Sequence, residues 1–145
     1  MTFSDSFDGY AIFSNDNGKT WKTSVRKCPM SQFEATNGTA KALVSVAVPD
    51  FAQLSSTHPH HPDRIIFAGN YRPRTSDGKT TGKTTVHPYT ISISVSDDNG
   101  DTWSETRHIY KSEIWNEDVT IGCWEPFVLE LPDGTVQIYF ADETP

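Results

Sequence analysis

Basic residues are scarce in this chain, and long apolar runs and helical periodicity are also missing. Only 12 lysines and arginines stand against 19 aspartates and glutamates, which gives a net charge of −7. Proteins that bind nucleic acid neutralise phosphates with clustered basic side chains, so this balance argues against a nucleic-acid partner. The apolar runs are far shorter than the roughly 20 residues that a membrane-spanning helix requires. We therefore expect neither a nucleic-acid partner nor a membrane span.

Cysteine is also rare, because Cys28 and Cys123 are the only two and neither belongs to a C-x-x-C pair. A zinc knuckle or a dithiol redox motif would need such a pair. Two buried thiols are the favoured interpretation, and a single disulfide is the alternative, so the redox compartment stays open. The residues after Met1 lack a basic region and an apolar core, so no signal peptide is visible.

An internal repeat is the strongest positive signal in the sequence. The segment S-N-D-N-G-K-T-W at 14–21 recurs at 96–103 as S-D-D-N-G-D-T-W. In such a box the aspartate can accept hydrogen bonds from main-chain N–H groups ahead of it, and the glycine can take a positive φ. The tryptophan can bury its ring against a neighbouring sheet. We interpret the repeated positions as structural: Ser14, Asp16, Gly18, Thr20 and Trp21, then Ser96, Asp98, Gly100, Thr102 and Trp103.

Strands are predicted on both sides of these boxes, because the flanking segments are rich in β-branched and aromatic residues. The tripeptide P-D-G at 132–134 marks a tight turn between two of them. No segment keeps the 3.6-residue periodicity of a helix. The chain is therefore expected to be all-β with antiparallel hairpins, and the main strands are placed at 43–48, 64–71, 90–96, 105–112, 126–131 and 135–141.

The strands follow one order, in which a box joins the third strand of a four-strand unit to the fourth. Residues 43–112 hold a complete unit, residues 1–30 the end of a preceding one, and residues 124–145 the start of the next. Such antiparallel units, arranged around a central channel, are the blades of a β-propeller. We expect residues 1–145 to be a partial propeller domain, one complete blade flanked by two half blades, whose partners include the remaining blades. Such a piece is expected to be poorly stable alone.

Both boxes resemble a known motif. S-x-D-x-G-x-T-W is the Asp-box (BNR repeat) of sialidases and related six-bladed β-propellers. The segment W-E-P-F at 124–127 is similar to one in glycoside hydrolase family 93, the exo-arabinanases, and in bacterial sialidase-like proteins grouped near them. The resemblance implies an extracellular or periplasmic exo-acting glycoside hydrolase that cleaves terminal glycosidic bonds with paired carboxylates. It implies an arabinan-type substrate first, and Glu125 as one of the two carboxylates.

The strand order also predicts a site at the end of the sheet opposite the boxes. Glu125 lies there, just before the strand expected to be innermost, and we expect it to be buried beside Trp124, which suits a proton donor. A structural ion pair with an arginine is the alternative for Glu125. The substrate-binding candidates at this end are Trp124, Tyr71, Arg72, Arg74, His87, Trp115, Asp142 and Glu143.

Two other functions stay open. A non-catalytic carbohydrate-binding or scaffold propeller would lack a second central carboxylate facing Glu125. A sialidase would need an arginine triad, and its R-I-P entry motif is absent from the sequence. No metal or cofactor is expected: the EF-hand pattern is missing, and His58, His60 and His61 alternate with prolines as in a solvated loop.

Overall fold

A computed structural model of the chain describes residues 9–12, 14–21, 26–28, 33–34, 41–74, 89–112 and 122–143. Over these residues the chain is all-β, which confirms the expected all-β class. Among them we find no helix that is long and apolar enough to span a membrane. The strands are β1 (Gly9–Ala11), β2 (Arg26–Cys28), β3 (Phe33–Glu34), β4 (Lys41–Gln53), β5 (Ile65–Arg74), β6 (Thr90–Ser96), β7 (Arg107–Lys111), β8 (Cys123–Glu130) and β9 (Val136–Asp142).

The main sheet has the order β3-β4-β5-β6-β7, and each neighbouring pair is antiparallel. Strands β4 to β7 are the four strands expected between residues 43 and 112. The strands also form two further antiparallel pairs, β1-β2 and β8-β9, and β8 packs against β4 and β5 of the main sheet. The short β3 pairs only with the beginning of β4, so within the described residues the remaining edge of β4 has no neighbouring strand.

The two faces of the main sheet bury separate apolar clusters. On one face Val46, Phe67 and Tyr71 pack together with Phe51 and Trp103. The other face is covered by the β8-β9 hairpin, and there the buried residues are Leu54, Ile66, Ala68 and Val128. Strand β5 is consequently covered on both sides, and residues 65–71 are all buried. Burial on both faces explains why β5 is a nearly continuous apolar run in the sequence.

Strands β4 and β8 carry the same local irregularity, a β-bulge at a proline. The register shifts between Ala47 and Asp50 in β4, and between Trp124 and Phe127 in β8. In each bulge the residue before the proline has a positive φ, which is 41° at Val48 and 53° at Glu125. A bulge is one of the few places in a sheet that accommodates proline, which has no N–H to donate. The β8-β9 pair therefore repeats the geometry of β4-β5.

The expected strand bounds were wrong at this bulge. The strand predicted at 43–48 ends before Pro49, whereas β4 continues to Gln53. The strand resumes because the bulge absorbs the proline and pairing restarts at Asp50 and Ala68. The expected strand at 105–112 is shorter in the structure, where β7 covers Arg107–Lys111.

Candidate functional site

The two boxes have the same internal hydrogen bonds. In each, the threonine donates to the aspartate twice, from its N–H at 2.8 Å and from its hydroxyl at 2.6 Å. In each, the serine hydroxyl accepts from the glycine N–H at 2.7 Å, and the glycine φ is 82°. The hydrogen bonds from Thr20 and Thr102 lower the pKa of Asp16 and of Asp98 to about 2. Both carboxylates are thus engaged inside their own turns, as a structural role requires.

The box tryptophans differ in their surroundings. Trp103 lies edge-on to Phe51 and Phe67, with ring centroids 6.2 and 6.1 Å away, and its Nε1 donates to Gly100 O at 3.1 Å. Trp21 is 55% exposed. The expectation of a buried ring is therefore wrong for Trp21, since the apolar clusters formed by the described residues do not include it.

Glu125 lies on the bulge of β8, near the sheet end opposite the boxes. Its side chain is exposed, so the expected burial beside Trp124 is wrong. The physical reason is the bulge, which interrupts the alternation of side chains between the two faces of the strand and so redirects the side chain of Glu125. No hydrogen bond or ion pair holds the Glu125 carboxylate within the part of the chain that the structure describes. The alternative of a structural ion pair with an arginine therefore finds no support there.

Trp124 is partly buried and packs against Tyr89 and Gly122. Its ring lies edge-on to Tyr89, with centroids 5.3 Å apart and an interplanar angle of 84°. A Cβ atom added at Gly122 would meet the Trp124 ring at 2.5 Å, so the ring occupies the space that a side chain there would need. Trp124 therefore packs the beginning of β8 against the beginning of β6 and supports the backbone next to Glu125.

Asp142 and Glu143 lie at the same sheet end as Glu125, and both are exposed and held by hydrogen bonds. Asp142 Oδ2 accepts from the Tyr110 hydroxyl, which joins β9 to β7. Glu143 Oε2 accepts from Gly122 N at 3.1 Å, while Glu143 N donates to Gly122 O at 3.1 Å. These contacts fix where β8 begins relative to the end of β9.

Tyr71 does not belong to this rim. Its side chain is fully buried in the cluster with Val46 and Phe67, so the expectation that it stacks on a sugar is wrong. The reason is its place in the interior strand β5, on the side that also carries Phe67. Arg72 and Arg74 are in the last part of β5, where their backbones pair with Ser45 and Leu43. His87 and Trp115 lie outside the described residues.

Asn70 lies at this end of the sheet but is not among the residues predicted to bind substrate. It is fully buried, and its Nδ2 donates to Cys123 O, which ties β5 to the first residue of β8. The sequence signal is a single amide inside an otherwise apolar strand. Cys123 beside it is a buried free thiol, so it takes part in no disulfide. Burial, and then the charge of Asp142, raise the pKa of Cys123 to about 11.

The histidine loop lies at the box end of the sheet, next to the P-D-G turn. His58 is buried, and its Nδ1 accepts from the N–H groups of His60 at 3.2 Å and His61 at 2.9 Å. That leaves the hydrogen on Nε2, which donates to Gly134 O at 2.9 Å. Both ring nitrogens of His58 are thereby used in joining the loop to the β8-β9 turn.

A groove of about 700 Å³ also opens at the box end, between the hairpin and strands β6 and β7. Its apolar floor includes Ile93, Val95 and Ile138, and at its rim Arg64 pairs with both carboxylate oxygens of Asp97 at 2.6 and 2.7 Å. Glu125 is not among the residues that line the groove. Within the described residues, the groove lies where the two-stranded hairpin does not cover the outer strands of the main sheet.

Comparison of the chain with protein-family models, with curated proteins and with solved structures returned no match.

Proposed function

We propose that this chain is part of an exo-acting glycoside hydrolase with a sialidase-like β-propeller fold, acting outside the cell on an arabinan-type substrate. The observation that carries the proposal is the state of Glu125. Its carboxylate is exposed, and no partner holds it within the described residues, although nearby Asp142 and Glu143 are held by hydrogen bonds. An exposed carboxylate that no described residue engages is available to act on a ligand.

The stacking of the two sheets supports the propeller part of the proposal. In the β4-β5 pair, Asp50, Ala52 and Ala68 face the β8-β9 hairpin. Phe127 and Tyr139 form the first pair after the bulge in the hairpin, as Asp50 and Ala68 do in the β4-β5 pair. Phe127 and Tyr139 are both 54% exposed, so the hairpin presents outward the face that the preceding pair buries. A further unit stacked there would extend the same arrangement.

Glycoside hydrolysis requires one carboxyl group to protonate the leaving oxygen and a second to act as nucleophile or base. In this proposal Glu125 is one member of that pair. The matching position in the preceding unit is Val48, which is no carboxylate, so the second member is not supplied by the equivalent bulge. Asp142 and Glu143 act in the proposal as rim residues that hold the ends of β8 and β9 and face substrate hydroxyls.

A non-catalytic carbohydrate-binding propeller is the second candidate, and the identity of Val48 favours it. A repeated bulge that presents one carboxylate and one apolar side chain suits binding as well as chemistry. Turnover separates the two functions, because a binding protein retains affinity for the sugar and hydrolyses nothing.

The test is an assay of the full-length protein and its Glu125→Gln variant on arabinan and on sialyl-lactose. The proposal expects arabinan hydrolysis and a loss of at least about 10³-fold in kcat in the variant. Glu105→Gln, which removes an exposed carboxylate at the box end, is the matched control and is expected to retain full turnover. Unchanged turnover in Glu125→Gln contradicts the catalytic role. Hydrolysis of sialyl-lactose alone indicates a sialidase, and sugar binding without hydrolysis indicates the binding protein.

A further inference from the structure

Val48 and Glu125 occupy the same position in two successive units. Each precedes a proline, each has a positive φ, and each lies where the register of the first strand shifts. Both strands have a free edge within the described residues, apart from the first two residues of β4, which pair with β3. Strand β8 packs against β4 and β5, so the two bulges belong to strands that are in contact.

The two bulges are also joined directly. Asp50, two residues after Val48, accepts a hydrogen bond from Val128 N at 2.9 Å, three residues after Glu125. This bond links the chain segments that leave each bulge. The contact runs from a main-chain N–H to a side-chain carboxylate, and it holds together the strand segments that follow Val48 and Glu125.

Val48 is an unusual residue for its place. A positive φ is the region that favours glycine, and a β-branched side chain there is an outlier. Packing of the Val48 side chain does not offset this strain, because the side chain is 41% exposed and belongs to neither cluster of the main sheet. Strained residues that persist without a packing reason are concentrated at binding and catalytic sites.

We propose that Val48 is a specificity-determining residue that contacts the substrate beside Glu125 and selects an uncharged sugar through its C–H face. The inference rests on the proposed function. The described side chains next to the two bulges are the apolar Val48, Pro49 and Trp124 and the carboxylates Asp50 and Glu125. An anionic sugar placed there would meet negative charge and an apolar surface, whereas the C–H face of a neutral sugar packs on the apolar side chains without the desolvation of a charge.

The test compares Val48→Ala and Val48→Asp in the full-length protein, with arabino-oligosaccharides as the probe. Loss of the apolar contact is expected to raise KM about threefold to tenfold in Val48→Ala, and further in Val48→Asp, with kcat within about twofold of the parent. Ile109→Ala is the matched control, since Ile109 is also β-branched and 44% exposed but lies on the outer strand β7. Its KM is expected to stay unchanged.

Folding and function are separated by a Val48→Gly variant. Glycine relieves the positive φ, so the midpoint of thermal unfolding is expected not to fall while KM rises. Unchanged KM in all three Val48 variants overturns the inference. If Glu125→Gln abolishes turnover while the Val48 variants behave as the parent, only this inference fails. If Glu125→Gln leaves turnover intact, the proposed function is contradicted, whatever the Val48 variants show.

Discussion

The Asp50 carboxylate accepts a hydrogen bond from the main-chain N–H of Val128 at 2.9 Å and so joins the first strands of two successive sheets. The bond crosses the interface between the main sheet and the hairpin, where Ala68 and Val128 are buried. It is one of several hydrogen bonds that join the main sheet to the hairpin, as those of Asn70 with Cys123 and of Tyr110 with Asp142 also do, and it lies just after the bulges that carry Val48 and Glu125. Its removal is therefore expected to affect docking of the hairpin more than the sheets themselves.

Asp50→Ala is expected to lower the free energy of unfolding by about 1–3 kcal/mol, because the Val128 N–H is left without an acceptor in a partly buried interface. Asp50→Asn keeps an oxygen acceptor and is expected to lose less. Urea denaturation followed by fluorescence measures both, with Glu105→Ala as the exposed control. Equal stability of Asp50→Ala and the parent would show that the bond does not hold the hairpin.

The two boxes predict a loss of stability in acid. The pKa of Asp16 and of Asp98 in the folded chain is about 2, below the ordinary value of 3.8. A carboxyl with a lowered folded-state pKa stabilises the fold above its unfolded pKa, and this contribution is lost as the pH falls through the folded value. Thermal melting between pH 4 and pH 2 should therefore show a falling midpoint. Asp98→Asn is expected to melt lower at pH 6 and to show a smaller change in that window.

His108 predicts a second dependence at higher pH. Burial, and then the charge of Lys111, lower its pKa from the ordinary 6.5, and its Nδ1 lies 2.6 Å from the hydroxyl of the fully buried Ser92. The neutral ring is favoured in the fold, so its contribution is present above pH 6.5 and is lost as the pH falls below it. Melting at pH 8, 6 and 5 should show this decline, and His108→Gln should flatten it. A decline that His108→Gln leaves unaltered would assign it to another group.

His58→Ala is expected to loosen the histidine loop from the hairpin turn. The substitution removes the Nε2–H donor to Gly134 O and the Nδ1 acceptor for two N–H groups, and each lost buried bond costs on the order of 1 kcal/mol. Hydrogen exchange of the amides in residues 131–135 is expected to quicken. His60→Ala, whose side chain is exposed, is the control. No change in exchange would mean that Ser55 N donating to Glu130 Oε2 at 2.6 Å suffices to hold the loop.

The outer face of the hairpin predicts association of the isolated chain. Phe127 and Tyr139 are each 54% exposed on it, and apolar patches of this kind tend to be covered by a partner. Replacing both by serine is expected to increase the monomeric fraction in analytical ultracentrifugation. A parent chain that is monodisperse and unfolds cooperatively would contradict both this prediction and the expected poor stability of the piece.

Much of the fold could be predicted from local sequence because its signals are short-range. The box turns depend on residues four positions apart, so a serine, an aspartate, a glycine and a threonine at the right spacing were sufficient to predict them. Strands β5 and β6 could also be predicted, since their apolar and β-branched runs are bounded by turn residues. The antiparallel order followed from the alternation of strands and tight turns.

The candidate site was harder to predict, because exposure depends on residues distant in sequence. Tyr71 and Trp124 are both aromatic and both lie at the expected end, yet the covering of β5 on two faces buries Tyr71 completely. Glu125 was placed correctly at that end, but its exposure comes from a bulge that the sequence shows only as a proline. The repeat that links Val48 to Glu125 shares that proline alone, too little to recognise without the register of the strands.

The sequence by itself therefore determined the all-β class and the box turns, since these follow from hydrogen bonds and backbone preferences between near neighbours. Only the tertiary structure decided which polar groups are free. The hydrogen bonds of Asp50, Asp142 and Glu143 come from N–H and O–H groups of other strands, and packing of the hairpin on the main sheet brings Asp50 to its donor. Glu125 lies on the bulge with an exposed side chain, and no hydrogen bond or ion pair holds it within the described residues.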